Sequence, residues 1–195
     1  FEWLAIDMEH SPISIETAMN LIGHIQGNEM QALVRVSKNE EVAIKGVLDA
    51  GADGVIIPMI LNKKEAKKAV DYVKYPPTGK RGVGLNRAQK YGTEFDTYKN
   101  WVKNEAVVIA QIEHIDAVNN LEEILSVSGI DGILVGPYDL SASMGYPGEY
   151  EREDVQSALL RVDEVAKKIE KPLGFHVIES GHQKTLEKIN KGYTF

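Results

Sequence analysis

Two acidic residues near the ends of successive apolar runs are the strongest sign of chemistry in this chain. Glu113 lies near the end of the run VVIAQIEH (Val107–His114), and Asp139 ends the next run, GILVGPYD (Gly132–Asp139). Neighbouring parallel strands lie about 4.8 Å apart, so both carboxylates can reach one cation. Two carboxylates with water and substrate oxygens suit Mg²⁺ or Mn²⁺. The pattern predicts a divalent-metal site, and the alternative is that the two acids are helix caps or salt-bridge partners.

An arginine within the run ALVRV (Ala32–Val36) is a second candidate. Arg35 is expected inside or at the end of a buried strand, where a guanidinium needs an anionic partner. Its planar fork matches a carboxylate or an enolate oxygen through two hydrogen bonds. A structural salt bridge is the alternative interpretation.

Three polar residues, Asp7, Glu9 and His10, close the first apolar run, WLAIDMEH (Trp3–His10). An aspartate and a histidine three residues apart across a tight loop can form a pair in which the carboxylate fixes the imidazole tautomer. A histidine held in this way can transfer protons. We therefore expect Asp7 to orient His10 for acid–base chemistry.

Six short apolar runs without alternation must position these residues. Such runs are typical of strands that are buried on both faces, as in a parallel sheet. Charged groups at the carboxyl ends of buried strands are unfavourable unless they gather round a metal or a substrate, and active sites of (β/α) barrels lie at that end. The arrangement indicates an enzyme. The runs are Trp3–His10, Ala32–Val36, Gly54–Met59, Val107–His114, Gly132–Asp139 and Leu173–Glu179.

Helical patterns alternate with these runs, which predicts a parallel α/β protein of one domain, residues 1–195. Tyr193–Phe195 is expected to open a seventh strand. Because a closed (β/α)₈ TIM barrel usually takes about 250 residues, we expect a barrel clipped at both ends, with an open doubly wound sheet as the alternative. The predicted helices are Ser14–Gln26, Glu40–Ala50, Lys63–Val73, Ala117–Leu125, Asp154–Ile169 and His182–Ile189.

The stretch from Tyr75 to Trp101 breaks this rhythm and is rich in proline and glycine. It is too long for an ordinary connection in a compact domain. Loops of this kind are usually lids, subunit contacts or ligand walls. We expect an irregular functional loop here.

Composition excludes several classes of partner. The formal charge is −7, so no basic stripe is available for nucleic acid. No apolar stretch reaches the roughly 18 residues of a membrane span. The absence of cysteine excludes disulfides, thiol nucleophiles and Cys-type zinc sites, and it fits a cytoplasmic protein. The expected partners are small molecules.

Several segments together resemble the HpcH/HpaI-type metal-dependent pyruvate aldolases, which include 4-hydroxy-2-oxoheptanedioate and 2-dehydro-3-deoxy-aldarate aldolases. The resemblance covers nearly the whole chain and is most specific in QIE and GPYDLS. It implies a (β/α)₈ barrel whose last helix is exchanged between subunits of a homo-oligomer, commonly a hexamer. The segments are FEWLAIDMEH, LVRV, VLDAGADGVIIPM, KYPPTGKRGVG, VVIAQIE and GPYDLSASMG.

The resemblance also implies a role for each matched residue. Glu113 and Asp139 are the implied metal ligands, for Mg²⁺, Mn²⁺ or Co²⁺. Gln111 is implied to hydrogen-bond the substrate, and the backbone of Gly136, Pro137 and Tyr138 to hold the substrate carboxylate. Arg35 is implied to stabilise an enolate, with His10 and Asp7 as the acid–base pair. Asp49 is implied to reach a neighbouring subunit's site.

The implied reaction cleaves or forms a 4-hydroxy-2-oxo acid, giving pyruvate and an aldehyde through a metal-bound enolate. A Schiff-base aldolase would instead need a desolvated lysine in or at the end of a strand, and none of the six runs contains one. Two alternatives stay open. One is a CoA-ester lyase of the citrate-lyase β type, and the other is a non-catalytic barrel remnant that acts as a binding module.

Overall fold

The strands of this computed structural model follow the six predicted runs. The structure describes residues 1–178 and 181–195, so Glu179, which ends the sixth predicted run, lies outside the described residues. Each run begins within one residue of its strand and continues past the strand's end. Asp7 and Arg35 are the last residues of their strands, Glu113 directly follows its strand, and Asp139 lies in a helix rather than at a strand end. The strands are β1 (Trp3–Asp7), β2 (Gln31–Arg35), β3 (Gly54–Ile57), β4 (Val107–Ile112), β5 (Gly132–Val135) and β6 (Leu173–Phe175).

Helices follow the strands, as the alternating pattern predicts, and no helix in the described part of the chain is long and apolar enough to cross a membrane. The helices are α1 (Ile15–Gln26), α2 (Glu41–Asp49), α3 (Lys63–Val73), α4 (Phe95–Asn104), α5 (Ile115–Asn119), α6 (Leu121–Leu125), α7 (Pro137–Ser143), α8 (Glu153–Ile169) and α9 (His182–Asn190).

The sheet is parallel in every pair of strands whose register is given, and its strands follow one another in chain order from β1 to β6. A doubly wound sheet reverses its strand order at a switch point. No reversal occurs among the described strands, so the alternative of a doubly wound sheet is wrong. The fold is an α/β fold with the consecutive strand order of a barrel.

The chain forms two compact units. The first unit contains residues 1–58 and 67–108, and the second contains residues 59–66 and 109–195. The prediction of a single domain stays a prediction. In the first unit, β1 pairs with β2 in a register that places Asp7 opposite Arg35. Apolar residues of β2, β3, α1 and α2 form the core of this unit, among them Ile22, Val34, Ile44, Leu48, Val55 and Ile57.

In the second unit, β4 pairs with β5, and Ile112 lies opposite Val135. The end of the chain lies beside β6, since the Thr194 N–H donates to the Leu173 carbonyl at 2.8 Å and the Phe175 N–H donates to the Phe195 carbonyl at 3.1 Å. These bonds agree with the prediction that Tyr193–Phe195 opens a further strand.

Capping residues explain where helices begin and end. Ser14 caps α1 through a hydrogen bond from the Thr17 N–H, as the sequence predicts. The predicted helix Ala117–Leu125 is instead two short helices that meet at Asn120. The Asn120 side chain donates to the Leu61 carbonyl at 3.0 Å, and this bond holds the junction.

The prediction of an irregular stretch from Tyr75 to Trp101 is wrong in its second half. Residues Arg87–Gly92 form short 3₁₀ turns, and α4 follows them. Tyr98 and Val102 are buried one helical turn apart in α4, so the helical spacing is present in the sequence. The proline and glycine residues before it obscured that pattern.

Candidate active site

A buried carboxylate is the central feature of the second unit. Glu113 directly follows β4 and is only 4% exposed. Its Oε1 atom accepts a hydrogen bond from the Met59 N–H at 2.7 Å, and its Oε2 atom accepts one from the Gln111 amide. No arginine, lysine or histidine of the described residues forms an ion pair with it. The protein therefore orients this charge without neutralising it.

Gln111 carries an unused acceptor beside that carboxylate. It lies two residues before Glu113, so both side chains project to the same side of the chain. Because its Nε2 atom donates to Glu113, its Oε1 atom faces elsewhere. That oxygen is buried and has no hydrogen-bond partner in the described part of the chain. A buried acceptor without a partner indicates a position where a ligand or water donates a hydrogen bond.

Met59 is a site residue that the sequence does not reveal. Its backbone adopts a left-handed conformation, with φ at 54°, which is unusual for a residue other than glycine. This conformation directs its N–H group at Glu113. Since the contact uses the backbone alone, no side-chain type could have predicted it.

The backbone of Gly136 passes close to the Glu113 carboxylate. A Cβ atom at this position would lie 3.0 Å from the Cβ of Glu113 and 3.2 Å from its Oε2. The Gly136 N–H donates to the Ile112 carbonyl at 3.0 Å, which continues the β4–β5 pairing for one more residue. Glycine is thus required by the close approach of the chain to Glu113.

The first turn of α7 carries the other predicted residues of this unit. Asp139 lies in that turn, is exposed, and forms no ion pair or side-chain hydrogen bond within the described ranges. Pro137 has no N–H group, and that of Gly136 is already bonded to Ile112. Of the three residues predicted to bind a carboxylate through the backbone, only Tyr138 therefore offers an unused N–H group.

Two serines that the sequence analysis did not select fix α7. The Ser141 hydroxyl donates to the Tyr138 carbonyl at 2.8 Å and accepts from the Gly148 N–H at 2.9 Å. The Ser143 hydroxyl accepts from the Ile115 N–H at 2.9 Å. Both belong to the segment DLSAS, whose serine spacing could have suggested this role.

The residues of the second unit fit a hard divalent cation. Carboxylate and amide oxygens are the ligands that Mg²⁺ and Mn²⁺ prefer. No group of three or more acidic or histidine side chains that could hold a metal occurs among the described residues. Mg²⁺ is usually bound by one or two carboxylates and completes its shell with water and substrate oxygens. The uncompensated Glu113 and the free oxygen of Gln111 agree with such a site.

The first unit places Asp7 and Arg35 in direct contact. The Arg35 Nε atom donates to Oδ1 of Asp7 at 2.9 Å, and Nη2 donates to Oδ2 at 2.7 Å. Burial alone would raise the pKa of Asp7, but the hydrogen bonds from Arg35 and two backbone N–H groups outweigh it and hold that pKa at about 2. The salt bridge that the sequence left as the alternative for Arg35 is therefore present.

His10 is not oriented by Asp7 in the predicted way. The Asp7 carboxylate accepts the His10 backbone N–H at 3.3 Å, whereas the imidazole lies 3.6 Å from Glu9 and is 66% exposed. The guanidinium of Arg35 is the stronger partner and takes both oxygens of Asp7. The expected arrangement of an aspartate bonded to the imidazole is wrong for this structure.

Asp49 ends α2 and belongs to a separate cluster of the first unit. Its Oδ1 atom accepts hydrogen bonds from Arg81 at 2.5 Å and from Gln89 at 3.3 Å. Arg81 comes from the stretch that the sequence marked as a functional loop. The sequence predicted Asp49 but not the two residues that hold it.

The fold and these motifs define a class of proteins, and comparison with known proteins agrees with that class. The chain belongs to the HpcH/HpaI aldolase/citrate lyase family, whose model matches residues 1–193. The 4-hydroxy-2-oxo-heptane-1,7-dioate aldolase of Shigella flexneri is 42% identical over 161 residues, which cover 82% of this chain and 60% of that protein. The chain thus matches about three fifths of the length of such curated relatives.

Solved structures show the same fold. A HpcH/HpaI aldolase/citrate lyase family protein from Burkholderia cenocepacia J2315 matches with a TM-score of 0.93 and 31% identity, covering 99% of this chain and 77% of that one. The citrate synthase SbnG matches with a TM-score of 0.85 and 27% identity, covering 99% of this chain and 74% of that one.

Proposed function

We propose that this chain is a divalent-metal-dependent carbon–carbon lyase, which cleaves or forms a 4-hydroxy-2-oxo acid to give pyruvate and an aldehyde. The observation that carries the proposal is the buried Glu113, which is oriented by two N–H donors and has no protein cation. Membership of the family and the similarity to a 4-hydroxy-2-oxo-heptane-1,7-dioate aldolase support the reaction type.

The buried charge of Glu113 is the reason to expect a cation from solution. An ionised carboxylate loses much of its hydration when it is buried, and N–H donors restore only part of that free energy. Buried charges in proteins are therefore paired or bind metals. Since the protein supplies no positive partner among the described residues, a metal ion is the partner that fits.

Glu113 and Asp139 would hold the metal, which is Mg²⁺ or Mn²⁺ in our proposal, with Co²⁺ as a further candidate. When bound, such a cation supplies Lewis acidity for the keto and carboxylate oxygens of a 2-oxo acid. Met59 and Gln111 fix the Glu113 carboxylate through its two oxygens. Preorganising a ligand in this way is the usual role of residues behind a metal ligand.

The start of α7 is the proposed binding position for the substrate carboxylate. Helix N-termini bind anions through N–H groups that lack a partner within the helix. Gly136 and Pro137 shape the backbone there, while Tyr138 supplies the unused N–H group. The free oxygen of Gln111 is proposed to accept a hydrogen bond from the substrate or from water.

Arg35 and His10 are assigned by motif. We propose that Arg35 donates to the oxygen that becomes negative in the enolate, because a preorganised donor stabilises developing charge. In cleavage, His10 takes the proton of the substrate hydroxyl group, directly or through a water. The carbon–carbon bond then breaks, its electron pair forms the pyruvate enolate, and the former alcohol carbon becomes the aldehyde.

The role that we propose for Asp7 differs from the predicted one, in which it orients the His10 imidazole. It holds Arg35 through two hydrogen bonds and fixes the loop through the N–H groups of Glu9 and His10. We therefore propose that Asp7 positions Arg35 and the backbone of His10, while the imidazole lies beside Glu9.

The strands argue against the Schiff-base mechanism, since none of the six described strands contains a lysine. That mechanism needs a desolvated lysine beside the substrate. We further propose a cytoplasmic homo-oligomer, a hexamer by family resemblance, in which Asp49 contributes to a neighbouring subunit's site.

The proposal is tested by pyruvate release from a panel of 4-hydroxy-2-oxo acids that differ in the aldehyde half. Each reaction is run after EDTA treatment and again with added Mg²⁺, Mn²⁺ or Co²⁺. We expect metal-dependent release with at least one substrate. Cleavage of a CoA ester alone would support the citrate-lyase-type alternative, and metal binding without turnover of any substrate would support a binding module.

A further inference from the structure

Only one of the two carboxylate oxygens of Asp49 accepts hydrogen bonds from the described residues. Arg81 and Gln89 both donate to its Oδ1 atom, at 2.5 and 3.3 Å. Its Oδ2 atom accepts no hydrogen bond from the described residues, and the side chain is 15% exposed. A bidentate ion pair uses both oxygens of the carboxylate, as the pairing of Arg35 with Asp7 does. The contact at Asp49 orients the carboxylate and leaves its Oδ2 atom without a hydrogen-bond donor among the described residues.

Arg81 is built into the structure at a considerable energetic cost. Its side chain is fully buried, and its guanidinium lies 4.8 Å from the ring centre of Tyr75 and 5.5 Å from that of Tyr98. The Tyr98 hydroxyl accepts from both Nη atoms at 3.2 Å. The Nε atom is buried and has no partner in the described chain. Replacing a buried ion pair by apolar residues is often neutral or stabilising, so stability alone does not explain this arrangement.

Tyr75 and Tyr98, with Gln89 beside them, form a cage around Arg81 that also contacts the end of α2. Burial raises the pKa of Tyr98 to about 12 despite the nearby guanidinium, so its hydroxyl keeps its proton and donates to the Leu48 carbonyl at 3.0 Å. Gln89 is fully buried and also donates to the Tyr75 hydroxyl at 3.2 Å. Arg81 and Gln89 thus each have partners other than Asp49, so the two donors to its Oδ1 atom are also held by the tyrosines.

Gly84 keeps the second oxygen open. A Cβ atom on Gly84 would lie 3.4 Å from Oδ2 of Asp49. The residues on either side of it, Val83 and Leu85, are both exposed. The loop therefore crosses the carboxylate with its smallest residue at the point of closest approach.

We infer that Arg81 is a positioning residue for the aldol reaction: it occupies Oδ1 of Asp49 so that Oδ2 is presented in one fixed orientation. The inference rests on the proposed function, because the participation of Asp49 in the reaction is part of that proposal. Arg81 itself does not touch the substrate.

The test compares Arg81→Lys with a matched control, Arg87→Lys. Arg87 lies in the same loop and donates to the carbonyl of Ala50, the residue after Asp49, but does not contact the carboxylate. We expect Arg81→Lys to lower kcat about 10- to 100-fold, since small misplacements of a reacting group have effects of this size, with KM changed less than about twofold. Arg87→Lys should stay within about threefold of wild type. Equal losses in the two variants would mean that loop anchoring alone matters and would overturn the inference.

The same substitution in an Asp49→Asn background separates positioning from a general structural effect. If Arg81 acts through Asp49, Arg81→Lys should lower kcat little further in that background, because coupled residues are not additive. A loss as large as in the wild-type background would overturn the inference. Gly84→Ala provides a second variant should Arg81→Lys fold poorly, and it should lower kcat only when Asp49 is present. A Gly84→Ala loss that persists in Asp49→Asn would also count against the inference.

Crystal structures of wild type and Arg81→Lys keep this test separate from the proposed function. If wild type cleaves no 4-hydroxy-2-oxo acid, the proposed function fails, and the positioning of Asp49 is judged from the structures alone. We expect the Asp49 side chain to change its orientation or become disordered in Arg81→Lys. An unchanged Asp49 would contradict the inference whatever the activity.

Discussion

Two carboxylates in this molecule, Asp7 and Glu113, have opposite kinds of hydrogen-bonding partners. Asp7, in the first unit, has a side chain that is 35% exposed, yet it is paired with a guanidinium that uses both of its oxygens. Glu113, in the second unit, is far more buried and meets only N–H donors. Burial increases the need for a positive partner, so the carboxylate with the greater need is the one that the protein leaves without a cation.

The difference separates a carboxylate whose cation the chain supplies from one that would take its cation from solution. At Asp7 the anion and the cation both come from the chain, and the β1–β2 register aligns them. At Glu113 the chain supplies two N–H donors that orient the carboxylate and an unused acceptor on Gln111. Donors that hold a carboxylate while leaving lone pairs free are what a metal ligand requires.

The largest effect should follow from removing the proposed metal ligands. Glu113→Ala or Asp139→Ala should lower pyruvate release about 10³-fold or more, because a metal ion supplies several kcal/mol of charge stabilisation. Glu122→Ala is the control, since Glu122 is a surface carboxylate of the same unit that is paired with Arg161. Steady-state rates with saturating Mn²⁺ measure the effect. Equal rates for Glu113→Ala and Glu122→Ala would refute the assignment.

Arg35→Lys should have the next largest effect. Lysine keeps the charge but loses the planar fork, and the loss of one preorganised donor typically lowers turnover about 10²- to 10³-fold. Exchange of the pyruvate methyl protons, which needs the enolate but no aldehyde, should fall with the aldol rate. Exchange at the wild-type rate while aldol cleavage collapses would show that Arg35 serves the aldehyde half.

Gly136→Ala should weaken the second unit's site without removing a ligand. The new methyl group would lie 3.2 Å from the Oε2 atom of Glu113, so the carboxylate must shift. Disturbing the groups behind a metal ligand typically lowers metal affinity about 10- to 100-fold, which a Mn²⁺ titration measures. Gly46→Ala is the control, because its methyl group would meet Ile15 at an ordinary 3.6 Å. An unchanged affinity in Gly136→Ala would show that the space beside Glu113 is unimportant.

Acid unfolding should show the smallest effect, and it concerns Asp7. The pKa of Asp7 is held at about 2, below its ordinary value of 3.8. A depressed pKa stabilises the folded state fully above about pH 4, and that contribution is lost as the pH falls towards 2. Asp7→Asn should therefore unfold more easily than wild type above pH 4, and the two should converge near pH 2. A constant difference in unfolding free energy across this range would contradict the assigned pairing.

The sequence predicted the residues of these sites better than their contacts. The position of Glu113 directly after β4 could be anticipated because strand ends follow from apolar runs, whereas Asp139 lies in the first turn of α7 and not at the end of β5. The pairing of Asp7 with Arg35 depends on the β1–β2 register, which the sequence does not state. The Met59 contact depends on a left-handed backbone at a residue that rarely adopts one.

The contacts around Arg81 and the helix α4 were also not predicted from the sequence. The cage around Arg81 joins a proline- and glycine-rich stretch to the end of α2, and such long-range contacts leave no local pattern. The helix α4 was missed because its apolar spacing follows directly after that stretch. Local patterns thus identify elements and strand ends, whereas orientation is set by tertiary contacts.

The most direct test of the central claim is Mn²⁺ binding measured by electron paramagnetic resonance for wild type and Glu113→Gln. Glutamine keeps the shape and the acceptor of the side chain but removes its charge. We expect one bound Mn²⁺ per wild-type chain and a loss of affinity of at least about 100-fold in Glu113→Gln. Equal affinity in the two proteins, or no binding to wild type, would contradict the claim that Glu113 awaits a cation.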